Sequence, residues 1–341
     1  MPLILLRRCD THSRNPLLLV APIAHDPRCP LPVGSAHAGG HASPPGRPSG
    51  ASTDDLSRGH SMTPLADALG GDAGTRFLIV TCDELGVTHA HNTGVYEALR
   101  GGLATSAGLV IPGPWAREAA ARYRGEDVGV HLTLNAEYDL LRWGPITHCP
   151  SLLDGDGGFP RTLEDLWDHG DTEEVRRECR AQVERAVYWG FDISHLSTHL
   201  GALELRPEFF DIALDMAIEF GLPLRLPPAS AERAVGFRFR GLAADEGVLT
   251  PDNVVRVPRN RSARFALEEL LVDLPPGVTE VVLRPATDSP DLRSVAPDWP
   301  ARVEDLDLAL SGDSLRTIVR RAEVTLIGWR RLRDAQRSRS R

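Results

Sequence analysis

The apolar run Leu78-Ile79-Val80-Thr81-Cys82 ends in two adjacent carboxylates, Asp83 and Glu84, followed by Leu85-Gly86. Neighbouring acids repel, so this is an unfavourable way to leave a strand unless a partner compensates. Other polar residues stand where further strand-like runs end: His131 in VGVHLTL, His199 in ISHLSTHLGALELRP and Arg284 in VVLRPA. One carboxylate and two imidazoles form a facial donor set for a divalent metal, with positions left open for water and substrate. One acid of the pair then binds the ion. The other stays free as a general base for a water whose pKa the ion lowers, and the cation relieves the repulsion between the two acids. His195 shares a strand face with His199, but a strand spaces the two too far apart for one ion, so it reads as structural.

Residues so far apart in the chain need a frame that gathers strand ends. From Arg76 onward short apolar runs alternate with amphipathic stretches. The pattern predicts strands near 76–82, 104–111, 127–133, 194–198, 223–226, 278–284 and 323–328. It predicts helices near 92–101, 114–123, 172–189, 207–220, 262–273, 300–310 and 313–321. Pro114 and Pro207 suit first turns, and Gly190 and Gly221 suit helix stops. Strand–helix alternation implies a mostly parallel sheet with helices outside, either a distorted (β/α) barrel or an open doubly wound sheet. Seven strands come close to closing a barrel, whose catalytic residues gather at the C-terminal strand ends. No GxGxxG or P-loop follows the first strand, which speaks against nucleotide binding. Two long irregular stretches remain, 135–171 and 227–261. The first carries Tyr138, Trp143, Trp167, His148 and His169. It reads either as a substrate wall, because aromatic faces pack on sugar rings, or as a loop pinned to the core by its aromatics.

The 341 residues suffice for a sizeable core, and a net charge of −9 argues against a nucleic-acid partner. Five scattered cysteines without a CxxC pair point to a reducing cytoplasm rather than a disulfide framework. No apolar run reaches the length of a membrane span. Residues 1–72, rich in Pro, Gly, Ser and Ala, read as a disordered or mis-annotated extension with Met62 as an alternative start. Residues 73–335 then form one domain, and 336–341 a disordered tail.

The stretch LIVTCDELGVTHAHNTGVYEALRGGLATSAGLV resembles the opening of the YdjC-like (ChbG) carbohydrate deacetylases. Their Asp-Asp-Phe/Leu-Gly turn, Asn-x-Gly pair and Thr-Ser stand here as Asp83-Glu84-Leu85-Gly86, Asn92-Thr93-Gly94 and Thr105-Ser106. Gly129-Val130-His131-Leu132 matches their Gly-x-His-Leu motif, Ser194 to His199 their Thr-His-x-Asp-Ser-His motif, and VTLIGWRRL their last strand. The resemblance implies a distorted, polysaccharide-deacetylase-like (β/α) barrel that removes an N-acetyl group from an amino sugar with a divalent metal, Mg2+ or Zn2+. It implies Asp83 as general base and Glu84, His131 and His199 as metal ligands. Asn92, Trp143 and Trp167 are expected to line the carbohydrate substrate, and a homodimer is compatible with it.

Three departures stand out. Glu84 replaces an Asp and Ser197 replaces an Asp expected to support His199. Arg284 replaces a His that is a candidate general acid, and arginine stays protonated through turnover. Arg284 would instead clamp an oxyanion or an anionic substrate. The competing reading is a catalytically weakened member that binds a carbohydrate-like ligand without turning it over.

Overall fold

The computed structural model describes residues 64–227, 231–233, 236–258 and 262–339. Most of the extension read from the sequence lies outside the described residues. Its last part does not stand apart: the helix Pro64–Ala68 buries Leu65, Ala66 and Leu69 against Phe77, Ile79 and Trp329.

Among the described residues seven strands form one parallel sheet: β1 (Arg76–Leu85), β2 (Ser106–Leu109), β3 (Val128–Leu132), β4 (Ile193–Thr198), β5 (Asn253–Arg256), β6 (Gly277–Leu283) and β7 (Val324–Leu326). Their order is β4-β3-β2-β1-β6-β5, and β7 pairs with the start of β1. The sheet is a distorted barrel that does not close. The gap beside β4 is spanned by an extended segment rather than a full strand: Leu224 bridges to Leu196, and its amide donates to Leu249 O at 3.0 Å. The sequence reads a strand at 223–226 from its apolar residues, but the Pro223 and Pro227 flanks leave a single bridge. Conversely β5 falls inside the stretch read as irregular. Its residues are half-buried or exposed, so the run lacks the apolar signal of a buried parallel strand.

β1 shows the other extreme. Every residue from Phe77 to Leu85 is buried, as expected of a central strand covered on both faces. The 135–171 stretch contains a 3₁₀ turn (Pro150–Leu152) and a helix (Leu163–His169). The helix Trp329–Arg339 runs through residues expected to be a tail, and buried Gln336 accepts a hydrogen bond from Leu249 N at 2.8 Å.

Candidate active site

Asp83, Glu84, His131, His199 and Arg284 lie at the C-terminal ends of the strands. Asp83 and Glu84 are near the end of β1, where the ladder to β2 shifts register between Cys82 and Leu85. Glu84 has φ 71°, a left-handed conformation that a non-glycine residue keeps only where its surroundings fix it. The turn beyond is built around Gly86 (φ 100°), where a Cβ would lie 2.7 Å from Val110 O. Asn92 holds that turn. Its Oδ1 accepts from Gly86 N at 2.7 Å, and its Nδ2 donates to Trp115 O at 3.0 Å and to Glu118. Asn92 is therefore fully buried behind the turn rather than on a substrate wall.

The two histidines converge. His131 ends β3 and turns Nδ1 to Ser197 Oγ at 2.8 Å; His199 follows β4 and turns Nε2 to Glu137 Oε2 at 2.9 Å. Their inner nitrogens, His131 Nε2 and His199 Nδ1, face each other at 3.3 Å. Ser197 thus supports His131, not His199 as its place in the motif suggests. Glu137, which the sequence reading passed over, supports His199. Burial pushes His131 down to about 3, so its ring is neutral. His199 is raised: burial lowers it, and Glu137, together with Glu84 and Asp83, outweighs burial.

Each carboxylate of the opening pair lies against a buried arginine. Arg225 Nη1 donates to Asp83 Oδ1 at 3.0 Å and Oδ2 at 2.8 Å. Burial pushes Asp83 up, but Arg225, with His131 and Arg256, outweighs it and holds the carboxyl at about 2. Glu84 pairs with Arg302 Nη1, lies 3.3 Å from His91 Nε2, and lies 3.6 Å from Arg284 Nη1. Burial raises Glu84 too, yet these groups, Arg302 foremost, hold it well below the usual carboxylate range. Arg302 also donates to Tyr138 Oη at 2.6 Å and to Asp298 at 2.8 Å. Arg284 follows β6, pairs with Asp298 at 3.2 Å, and keeps 31% of its side chain exposed. Trp143 Nε1 donates to Asn135 O at 2.9 Å, and its ring stands edge-on to His199 at 6.4 Å. Trp167 is half-buried and donates to Ala202 O at 2.9 Å. His195 lies away from the pair, stacked on Trp329 at 4.5 Å.

The imidazoles fit a divalent ion in donor type and direction. Each outer nitrogen is anchored on a protein oxygen and each inner nitrogen is turned to a common point, the usual support of ligating histidines. Neither carboxylate joins them as placed. Among the described residues no group of three His, Cys, Asp or Glu side chains forms a ready metal site. Glu84 turns Oε2 to Arg302 and His91 and lies nearest Arg284 through Oε1, so neither oxygen is paired with His131 or His199. Arg225, Glu137 and Arg302 were not singled out from the sequence, and Tyr138 was read only as part of the aromatic loop. Arg225 left the clearest signal, a charge inside the apolar run Leu222-Pro223-Leu224-Arg225-Leu226.

A model of the YdjC-like protein family matches residues 77–321. A carbohydrate deacetylase of Thermus thermophilus is 38% identical over 273 residues, 78% of this chain and 97% of the relative. One of Thermoanaerobacter pseudethanolicus is 27% identical over 225 residues, 65% of this chain and 85% of the relative. A solved structure from Enterococcus faecalis V583 has the same fold, with TM-score 0.67 at 24% identity over 76% of this chain and 99% of that one.

Proposed function

Since the chain belongs to the YdjC-like family, we propose that it is a metal-dependent hydrolase that removes an N-acetyl group from an amino sugar or sugar conjugate. The observation that carries this reading is the meeting of Asp83 with the His131–His199 pair at one end of the sheet. His131 and His199 would hold the divalent ion, Mg2+ or Zn2+, with Glu84 as the third ligand. Once bound, the ion supplies Lewis acidity toward the acetamide carbonyl.

The remaining chemistry falls to the chain's own groups. Asp83 is ionised and accepts the proton of the attacking water at Oδ1 or Oδ2. The C–N bond then breaks, and the departing amine needs a proton. Arg284 cannot give one. Asp83 can return the one it took, because a carboxyl held near 2 binds that proton weakly. Arg284, charged and partly exposed, faces the site and offers its guanidinium to an oxyanion or to an anionic part of the substrate. Trp143, beside His199, would bound the sugar site, while Trp167 and Asn92 act on it indirectly, by holding the loop and the turn.

One observation favours the weakened-member reading: Glu84 is tied to Arg302, His91 and Arg284 rather than to the imidazoles. Two measurements on the full chain separate the readings. The first is metal content by elemental mass spectrometry for wild type and His199→Ala. The second is acetate release from a panel of N-acetylated mono- and disaccharides. About one ion per chain, lost in the variant, together with acetate release, supports the deacetylase. No ion after incubation with zinc or magnesium and no acetate overturns it in favour of ligand binding alone.

A further inference from the structure

We infer that Glu280 is a positioning residue for Asp83, acting through the Arg225 guanidinium; this rests on Asp83 being the base. Glu280 is fully buried in the middle of β6 and is the one charged residue in the run Val278-Thr279-Glu280-Val281-Val282-Leu283. A buried carboxylate costs several kcal/mol of desolvation, and an apolar residue of similar size is often the more stable choice there. Its partners show what it accomplishes.

Arg225 donates through Nε to Glu280 Oε2 at 2.9 Å and through Nη2 to Oε1 at 2.6 Å. That side-on pairing uses one edge of the guanidinium and fixes its plane. Nη1 is left to face Asp83, where it reaches both oxygens at 3.0 and 2.8 Å. Among the described residues Asp83 accepts from no other side chain, so both oxygens keep lone pairs free for water. Glu280 is itself held: Thr81 Oγ1 donates to Oε1 at 2.6 Å and Trp329 Nε1 at 3.0 Å. Trp329 lies flat on His195, with rings 12° from parallel, and its backbone amide donates to Ser106 Oγ at 3.1 Å. A buried chain of contacts thus runs from the last helix through Trp329, Glu280 and Arg225 to Asp83. On the other side Gly108 gives the carboxylate room, since a Cβ there would stand 2.9 Å from Oδ1.

The test combines kinetics with a readout that needs no turnover. In Glu280→Gln the side chain keeps its shape and loses the charge-assisted grip on Arg225. Expected is a fall in kcat of about 30-fold with KM within two-fold, because orientation of the base is lost and ground-state binding is not. Arg225→Met and the Arg225→Met/Glu280→Gln double variant should agree within about two-fold, since Glu280 works through Arg225. Trp329→Phe, which keeps the stacked ring and removes the donor, should lower kcat about three-fold. In parallel, arginine side-chain nitrogen NMR should show separate, slowly rotating Nη signals for Arg225, absent in Arg225→Met and averaged in Glu280→Gln. Averaging in the wild type overturns the proposal, as does unchanged kcat in Glu280→Gln. So does a double variant that loses the full Glu280→Gln factor on top of Arg225→Met. If Glu280→Gln does not fold, Trp329→Phe decides alone: unchanged kcat and unchanged Nη signals refute the proposal. Failure of the base reading appears separately, as full activity in Asp83→Asn with the Nη signals of the wild type intact.

Discussion

Asp83 and Glu84 are adjacent in the chain and both buried, yet they differ in the donors paired with them. Around Asp83 two carboxylates, its own and that of Glu280, share one guanidinium, Arg225. Around Glu84 two carboxylates, its own and that of Asp298, face two guanidiniums, Arg302 and Arg284, with His91 alongside. In the first cluster Asp83 accepts from Arg225 alone among the described side chains, which leaves it open lone pairs. The second is balanced and surrounds its carboxylate with donors. A base needs the first kind of environment, while a carboxylate in the second gives up a good partner to bind anything else.

The largest effect expected from this contrast is on catalysis. Asp83→Asn keeps the shape and a hydrogen-bond acceptor for Arg225 but cannot take a proton from water. Acetate release should fall about 1000-fold, and stability at neutral pH should fall by about 2 kcal/mol because Arg225 loses a charged partner. Retention of a tenth of wild-type activity would assign the base elsewhere and dissolve the distinction between the clusters.

Stability should show the difference next. Arg225→Met strips Asp83 and Glu280 of the guanidinium that both pair with, and removing one partner of a buried pair costs about 3–5 kcal/mol. Arg302→Met leaves Glu84 with Arg284 and His91, so about half that loss is expected. Urea unfolding of both variants ranks them, and a larger loss for Arg302→Met would reverse the comparison. Arg302→Met also frees Glu84, so added zinc should raise its melting temperature more than it raises that of the wild type.

Acid titration gives a smaller effect of defined sign. Asp83 is depressed from 3.8 to about 2, so its contribution to stability is complete above the unfolded value and is lost as pH falls through the folded one. Wild type should therefore lose about 2 kcal/mol more than Asp83→Asn between pH 5 and pH 2. Glu84 is depressed in both proteins, and its loss cancels in the difference. Equal losses would mean that Arg225 does not favour the charged form of Asp83.

The sequence made the frame and the strand-end residues legible because both leave local marks. Buried parallel strands read as apolar runs, and a charge or imidazole at the end of such a run is visible without knowing what it meets. β5 stayed hidden because Asn253 to Arg256 are half-buried or exposed, with no apolar run to mark them. The partners of the site residues stayed hidden for a different reason. Arg302 comes from the helix Trp299–Leu310 and meets Glu84 across 218 positions of chain; Arg225 meets Asp83 across 142. Helical periodicity places Arg302 on a surface but does not say which carboxylate that surface covers. The role of Ser197 was misassigned because a motif lists neighbours in order, whereas the sheet register sets Ser197 opposite His131 on the next strand.

The smallest effect expected comes from Arg284→His, and it bears on what the second cluster is for. Arg284 is partly exposed, its ion pairs to Glu84 and Asp298 are 3.6 and 3.2 Å long, and pairs of that kind contribute about 0.5 kcal/mol. Histidine at this position should therefore leave the unfolding midpoint almost unchanged. If Arg284 serves the substrate by its charge, the variant should lose about five-fold in kcat/KM on an anionic sugar, with less change on a neutral one. A ten-fold gain on every N-acetylated sugar would show the reverse, that a proton donor is what the site lacks. The balanced cluster around Glu84 would then be what remains after that donor was lost, rather than an environment suited to another substrate.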